Sequence, residues 1–479
     1  MILQKKIKNY NILALIKLYI YQHGIIVPNE YTEKFLKIQY SGYRTTSGLF
    51  IKLGGTYSKK EFKYHKKNKD FKHLEGDIQN LTYEDYLKNR EWVTARILEQ
   101  SMIDFDFDSL TYFKLETNEQ DKFIITGQYL DKDGLKHAIY LDDVGIFNKE
   151  VNNDEDGVIS QAGGARARLS IAGANCASGC SFCSFGPNCY KYEKGTYTQD
   201  RLNNYLIPML QDVISKEKLK HLFVTGGNPS LDDMENWTYY LSECIKSFKN
   251  ELIKQNIPLS NIKIDVMLTP RSFTKYVDTH EEYSKYLKYL KEMGVTNLAP
   301  NIEIWNEKYL KIYCPSNQQT KGMSKADIGH NKYIDYIKES VKIFGKFNVR
   351  SIIIVGLEPI AETKKAIKQL IDLGCYVGLS PFVLPENLKD KTLLLHNSVS
   401  VDDLLDLNNY LEETFLKYLS NYSDEEKREL IENMNNSLNS HNRHNTANIN
   451  GNITPLDYKE KENLLNGYDL DLATSINML

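Results

Sequence analysis

No stretch of this 479-residue sequence approaches the roughly 20 consecutive apolar residues that cross a bilayer. The longest apolar run near the start, Ile12 to Ile20, is broken by Lys17, and the Lys-rich beginning leads into a mixed Asn/Tyr/Lys segment without a small-residue cleavage site. Neither a membrane span nor a secretory signal is expected, which points to a cytoplasmic protein. Cysteine is scarce at seven residues, an odd number, and three of them lie within eight positions. That is poor disulfide design and good metal-ligand spacing. What is present, 41% hydrophobic and 26% charged residues, suits a globular chain of two or three domains and excludes disorder throughout.

The net charge of −3 hides an asymmetry. Met1 to Gly76 carries 15 Lys+Arg against 5 Asp+Glu, leaving 45 against 58 for the rest. A basic head suits nucleic acid or another anionic partner, whereas the even spread of Lys among Tyr, Asn and Ile suits a solvated surface.

Residues 1–160 read as an N-terminal α+β domain. Lys8 to Gln22 has helical apolar spacing and stops at Gly24, Tyr83 to Gln100 is a second helix, and Phe123 to Leu130 with Leu135 to Leu141 forms a hairpin around Asp133-Gly134. Asn152 to Gly164, rich in Gly, Asp and Asn, reads as a linker. Beyond it, strands at Ala165–Ala172, His221–Thr225, Ile262–Thr269, Thr296–Ile304, Arg350–Val355 and Cys375–Ser380 alternate with helices near Gln199–Lys216, Leu231–Lys249, Tyr276–Met293, Lys332–Phe347 and Glu362–Leu373. Alternating units imply parallel strands and right-handed crossovers, so residues 161–385 form an α/β domain, a full or partial (β/α)6 barrel of TIM type with its chemistry at the C-terminal strand ends. Residues 386–479 are a C-terminal extension with a helix at Val401–Leu419 and a polar surface loop from Asn433 to Asn452, where His441 and His444 are read as part of a low-complexity stretch rather than as ligands.

The sharpest signal is Cys176-Ala-Ser-Gly-Cys180-Ser-Phe-Cys183, directly after the first barrel strand. Three thiolates so spaced wrap one inorganic cluster, with Gly179 giving the backbone room to turn. A structural zinc site and an electron-transfer [4Fe-4S] cluster each want four ligands, so three leave one iron open. Cys189 is either a fourth ligand that closes the site or a free thiol, and Cys244, Cys314 and Cys375 read as ordinary buried thiols.

The Cx3Cx2C loop, with Phe182 before its last cysteine, resembles the signature of the radical S-adenosylmethionine (radical SAM) enzymes. Three further strand ends match that family. Thr225-Gly226-Gly227-Asn228-Pro229 resembles its Gly-Gly-Glu-Pro motif, which holds the amino group of the methionine moiety, with Asn228 in place of Glu. In Asn301-Ile-Glu303-Ile-Trp305, residues two apart on a strand share a face, so Asn301 and Glu303 are expected side by side on the ribose hydroxyls, with an internal ion pair as the other reading of Glu303. Val355-Gly356-Leu357-Glu358-Pro359 is similar to the segment beside adenine, and Arg271 is a candidate for the methionine carboxylate.

The resemblance implies the cofactors, a [4Fe-4S] cluster and S-adenosyl-L-methionine. It also implies the reaction class, reductive cleavage of the sulfonium to a 5′-deoxyadenosyl radical that abstracts hydrogen from a small-molecule substrate, with a flavodoxin- or ferredoxin-type electron donor. Ile304-Trp-Asn306, Cys314-Pro315, Val355-Gly-Leu-Glu-Pro359 and Leu379-Ser-Pro-Phe382 resemble the biotin synthase-like branch, although no second cysteine group is apparent to act as sulfur donor. Two other classes remain open: an RNA-modifying enzyme or binder that uses the basic head, and a non-catalytic iron-sulfur or zinc protein.

Overall fold

The computed structural model describes residues 49–52, 112–120, 123–130, 136–141, 145–147, 159–161, 166–171, 176–183, 197–216, 221–270, 280–316, 322–381, 401–441 and 474–476. The helices expected at Lys8–Gln22 and Tyr83–Gln100, and the candidates Cys189, Arg271 and His444, lie outside these residues. The chain divides into two compact units, Met1–Val151 with Asp471–Leu479, and Asn152–Leu470.

In the first unit, β1 (Leu49–Lys52) pairs in parallel with β5 (Gly145–Phe147) on one side and with Thr474–Ile476 on the other. A second sheet is an antiparallel meander of β2 (Tyr112–Thr117), β3 (Phe123–Leu130) and β4 (Lys136–Leu141), so the expected hairpin forms. On the first pair the Thr126 hydroxyl donates to Glu116 at 2.8 Å, a diagonal cross-strand contact.

The second unit begins with β6 (Ile159–Gln161), which runs antiparallel to β7 (Arg166–Leu169). The stretch read as a linker thus supplies an edge strand, because even three residues of extended backbone can complete a neighbouring ladder. From β7 onward the expected alternation appears: β8 (His221–Val224), β9 (Lys263–Met267), β10 (Asn297–Ala299), β11 (Arg350–Val355) and β12 (Tyr376–Pro381). Parallel ladders join β7 to β8, β9 and β10 in turn, and β11 to β12. The bridges Leu298 to Val349 and Glu303 to Ile353, both parallel, carry the series from β10 to β11. Among the described residues, six parallel strands in sequence order make a partial barrel of TIM type.

Crossovers between these strands are helical. They are α1 (residues 199–216, with a π turn over Leu202–Leu206), α2 (Met234–Lys254), α3 (His280–Met293), the short pair α4 (Glu307–Tyr313) and α5 (Lys325–Ile328), α6 (His330–Phe344) and α7 (Ile360–Asp372). On α2 the buried Trp237, Leu241, Cys244, Ile245, Phe248 and Leu252 recur every three or four residues, the period that turns one helix face to the sheet. Leu222, Ile264, Val266, Leu298, Ile353, Val377 and Leu379 are fully buried strand residues, each contributing about 1.5–3 kcal/mol by leaving water.

The barrel also encloses charge. Arg350 on β11 donates to Asp265 on β9 at 2.7 Å, both side chains are wholly buried, and the Phe223 ring of β8 lies 5.6 Å from the guanidinium. β10 separates β9 from β11 in the sheet, so this contact crosses the interior. Arg350 opens its strand, which puts the pair at the N-terminal side of the barrel, where a packing role is expected.

Among the described residues of this unit, α8 (Val401–Leu419), within the bounds expected, and α9 (Asp424–His441) follow β12. The loop expected from Asn433 is instead helical as far as His441. Leu430, Ile431 and Met434 are buried on one face of α9, and this stripe holds the helix in place despite the polar composition around it. Phe347 packs edge-on against Phe415 of α8 at 4.9 Å.

Candidate functional site

All the motif segments fall at the C-terminal ends of the parallel strands. After β7 the chain reaches Cys176, Cys180 and Cys183, and Gly179 adopts φ +67, a left-handed turn that suits glycine. The loop is tied to two other strand ends. Below Cys176, the Ala177 N–H donates to the Asn228 carbonyl at 2.8 Å, the Asn228 N–H donates to Cys176 Sγ at 3.3 Å, and Asn228 Nδ2 donates to Ser178 Oγ at 2.9 Å. Asn228 Oδ1 also accepts from the Thr269 N–H at 3.4 Å. Asn228, where the resemblance has Glu, therefore clamps the cysteine loop to the ends of β8 and β9. At the other side, the Ser181 N–H and hydroxyl both donate to the Tyr313 carbonyl at 2.8 Å.

Cys180 is buried and Cys176 and Cys183 are half-buried. Burial and the neighbouring Cys180 push the Cys176 thiol up, and the Cys314 hydrogen bond followed by burial holds Cys180 well above the ordinary thiol range. Such thiols stay neutral until a cation compensates their ionisation. Among the described residues no three ligand side chains converge on a point as a single metal ion requires. A [4Fe-4S] cube instead takes one thiolate at each of three separate corners, and three thiols strung along one tied loop suit that group.

Phe182 points into a buried apolar cluster with Cys180, Ile304, Leu310, Tyr313, Cys314 and Leu357, and so anchors the loop from below. Cys314, expected to be an ordinary buried thiol, belongs to this cluster, with its sulfur 3.6 Å from Cys180 Sγ. The contact spans 134 residues of sequence, and no local pattern announces it.

Gly226, at the end of β8, has φ +107, and a Cβ there would lie 2.0 Å from Ser170 Oγ. The residue is glycine because the ends of β7 and β8 touch at this point. Gly227 follows in a buried position.

The fourth strand end differs from the expected alternation. β10 stops at Ala299, Pro300 has no N–H for a ladder, and Glu303 adopts φ +67. Asn301 and Glu303 therefore part company. The Asn301 side chain accepts from the Ile352 N–H at 3.1 Å, while Glu303 Oε2 pairs with Lys325 Nζ at 2.5 Å. Lys325, 4% exposed, also donates to the Asn301 carbonyl at 2.6 Å. Burial works against its charge, and Glu303, Tyr333 and the two nearby thiols together raise its pKa above the ordinary value. Nothing in the spacing of Glu303 and Lys325 reveals this pair, because it is made when α5 folds back over the strand end.

At the fifth strand end Val355 and Leu357 are buried and Gly356 has φ +109. Glu358 is fully buried, and its carboxylate accepts from the Trp305 N–H at 3.0 and 3.1 Å and from the Asn306 N–H at 2.8 Å. Burial pushes its pKa up to about 7. Glu358 thus stitches the fifth strand end to the fourth, a role that the sequence motif does not signal. The His330 ring stands edge-on to Trp305 at 4.5 Å.

Residues 170–359, from the strand end before the cysteine loop to the strand end after β11, match the Radical SAM superfamily. The chain carries a radical SAM domain, that of a superfamily of enzymes whose cofactors are a [4Fe-4S] cluster and S-adenosylmethionine. Similar solved structures include HydG, a maturase of the [FeFe]-hydrogenase, at 15% identity over 52% of this chain and 50% of that one, with a TM-score of 0.37. Coproporphyrinogen III oxidase (HemN) from Escherichia coli aligns at 14% identity over 53% of each chain, with a TM-score of 0.36. Methylornithine synthase (PylB) aligns at 13% identity over 58% of this chain and 67% of that one, with a TM-score of 0.37. This chain spans about half the length of the first two, and at such scores the likenesses carry no argument about activity. No curated protein matches the chain. Among the described residues no helix is long and apolar enough to cross a membrane.

Proposed function

We propose that this protein is a radical SAM enzyme in which Cys176, Cys180 and Cys183 hold a [4Fe-4S] cluster with one open iron, and which takes hydrogen from a small-molecule substrate. The observation that carries this reading is the cysteine loop itself, three thiols on one segment tied by hydrogen bonds at a C-terminal strand end within the matched region. Held by Cys176, Cys180 and Cys183, a reduced cluster would supply the one electron that reductive cleavage of the S-adenosylmethionine sulfonium requires.

The chain's own residues orient and shield. Asn228 and Ser181 fix the cysteine loop, and Phe182 seals its inner side. Gly226, Gly227 and Asn228 are assigned to the methionine end of the cosubstrate, where main-chain carbonyls can approach an ammonium group. Asn301 and Glu303 are assigned to the ribose and Val355 and Gly356 to the adenine. The Glu303 side chain is 22% exposed although its carboxylate pairs with Lys325. The phrases Ile304-Trp-Asn306 and Val355-Gly-Leu-Glu-Pro359, which resemble the biotin synthase-like branch, are joined here by the Glu358 clamp. A flavodoxin- or ferredoxin-type protein is the proposed electron donor.

The test is anaerobic reconstitution followed by addition of S-adenosylmethionine and a reductant, with 5′-deoxyadenosine as the product measured. Replacement of Cys176, Cys180 or Cys183 by Ala should remove both iron and product, while Cys189→Ala should retain both. Iron lost in Cys189→Ala, or no 5′-deoxyadenosine from an intact reduced cluster with any candidate substrate, would overturn the reading.

A further inference from the structure

We propose that the Cys314 thiol donates a hydrogen bond to the sulfur of Cys180 and thereby raises the reduction potential of the cluster bound there. The proposal rests on the assignment of Cys176, Cys180 and Cys183 as cluster ligands. Cys314 is a positioning residue, acting through Cys180 on the metal rather than ligating it.

The geometry is specific. The two sulfurs lie 3.6 Å apart, and Cys314 and Cys180 are 0% and 6% exposed; either thiol can donate while both are protonated, but Cys180 as a cluster thiolate can only accept, which makes Cys314 the donor. Four backbone-anchored contacts set that separation. The Ser181 N–H and hydroxyl both reach the Tyr313 carbonyl, fixing the residue after Cys180 to the residue before Cys314. The Cys314 N–H donates to the Leu310 carbonyl at 2.8 Å, and the Cys314 carbonyl accepts from the Ala326 N–H at 3.3 Å. These contacts hold the Cys314 main chain beside the cysteine loop, and the sulfur itself is packed within the buried cluster.

The surroundings make a weak donor count. Phe182, Ile304, Leu310, Tyr313 and Leu357 wall the pair off from water, and a hydrogen bond in such a medium is stronger than the same bond in solvent. Reduction adds negative charge to a cluster, and hydrogen bonds to its sulfurs stabilise that charge and shift the potential upward. Cys176 has its own donor, the Asn228 N–H, which substitutions at Cys314 leave in place.

The experiment uses the full chain, reconstituted anaerobically as wild type, Cys314→Ala and Cys314→Ser. Iron and sulfide are counted, and the midpoint potential is followed by electron paramagnetic resonance. All three should hold about four irons per chain. Cys314→Ala should lower the reduction equilibrium constant about threefold to tenfold, which at 59 mV per decade for one electron is about 30 to 60 mV more negative. Cys314→Ser, which keeps a shorter donor, should fall between the two. Equal potentials in all three proteins would overturn the proposal, as would loss of iron in Cys314→Ala alone, which would make Cys314 a ligand. Failure of the underlying assignment is distinguishable, because the wild type itself would then lack iron. Should the variants not fold, wild-type protein assembled in D2O must show a deuterium-sensitive Fe–S stretch by resonance Raman, and its absence would overturn the proposal.

Discussion

Replacing Glu303 by Ala deletes the carboxylate that faces Lys325 and leaves the ammonium, 4% exposed, with the Asn301 carbonyl as its one remaining acceptor from this pair of contacts. Breaking a fully buried ion pair from one side costs about 3–5 kcal/mol, because the surviving charge is left uncompensated. Glu303 is 22% exposed, so water can reach the vacated side and part of that cost is recovered. The expected loss is about 2–3 kcal/mol of stability. A companion change, Lys325→Met, removes the stranded charge, so the double variant should regain at least about 1 kcal/mol over Glu303→Ala, a coupling that a double-mutant cycle isolates. Urea unfolding of the cluster-free protein followed by tryptophan fluorescence suits the measurement, since Trp237 and Trp305 both lie in the unit that contains the pair. Strictly additive effects of the two substitutions, or a Glu303→Ala loss below about 0.5 kcal/mol, would refute the reasoning and return Glu303 to a purely cosubstrate role.

Three other outcomes follow from contacts at the strand ends. Asn228→Ala removes the side-chain bonds to Ser178 and Thr269, worth about 1–3 kcal/mol together, and should speed loss of iron to a chelator several-fold while a surface control such as Asn421→Ala does not. Glu358, with its pKa raised from 4.5 to about 7 by burial, stabilises the fold fully below the ordinary value, and that contribution is lost as pH climbs through the raised one. Between about pH 5.5 and 8 the wild type should thus lose about 2 kcal/mol relative to Glu358→Gln, and parallel stability curves for the two would contradict the burial argument. Asp265→Ala strands the Arg350 guanidinium inside the barrel and should cost about 3–5 kcal/mol, read as a lowered urea midpoint, with a change of less than about 1 kcal/mol counting against the pair.

How far these features were legible beforehand depends on the sequence distance over which each one acts. The cysteine loop is eight residues long, and the alternation of strands and helices is a local periodicity, so both could be read from composition and spacing. β11 and α8 even have the bounds that their apolar patterns suggest. Cys314, Lys325 and Glu358 act on Cys180, Glu303 and Trp305, across 134, 22 and 53 positions respectively, and a pairing of that kind leaves no periodic mark. The alternation expected at Asn301 fails for a related reason. Period two holds only while a ladder continues, and Pro300 and the φ of Glu303 end it before the polar residues are reached.

The polar residues that make the motifs conspicuous turn out to spend much of their hydrogen bonding on one another's strand ends. Asn228 joins β7, β8 and β9, Asn301 caps an N–H of β11, and Glu358 returns from β11 to hold Trp305 and Asn306. A partial barrel needs such cross-bracing, since each strand end would otherwise be positioned by its own ladder alone, and a cluster and its cosubstrate tolerate little displacement. Glycine stands at the same strand ends for the complementary reason. Gly226 and Gly356 hold positive-φ backbone conformations, and at Gly226 the end of β7 approaches too closely for a side chain. If the braces are side chains and the exposed groups are main chain, substitution of a brace should alter geometry and cluster retention before it alters chemical recognition. Observation of that order, with iron retention falling before S-adenosylmethionine affinity in the Asn228 and Glu358 variants, would support the proposed assignment of cosubstrate recognition to the backbone at Gly226, Gly227 and Gly356, and the reverse order would count against it.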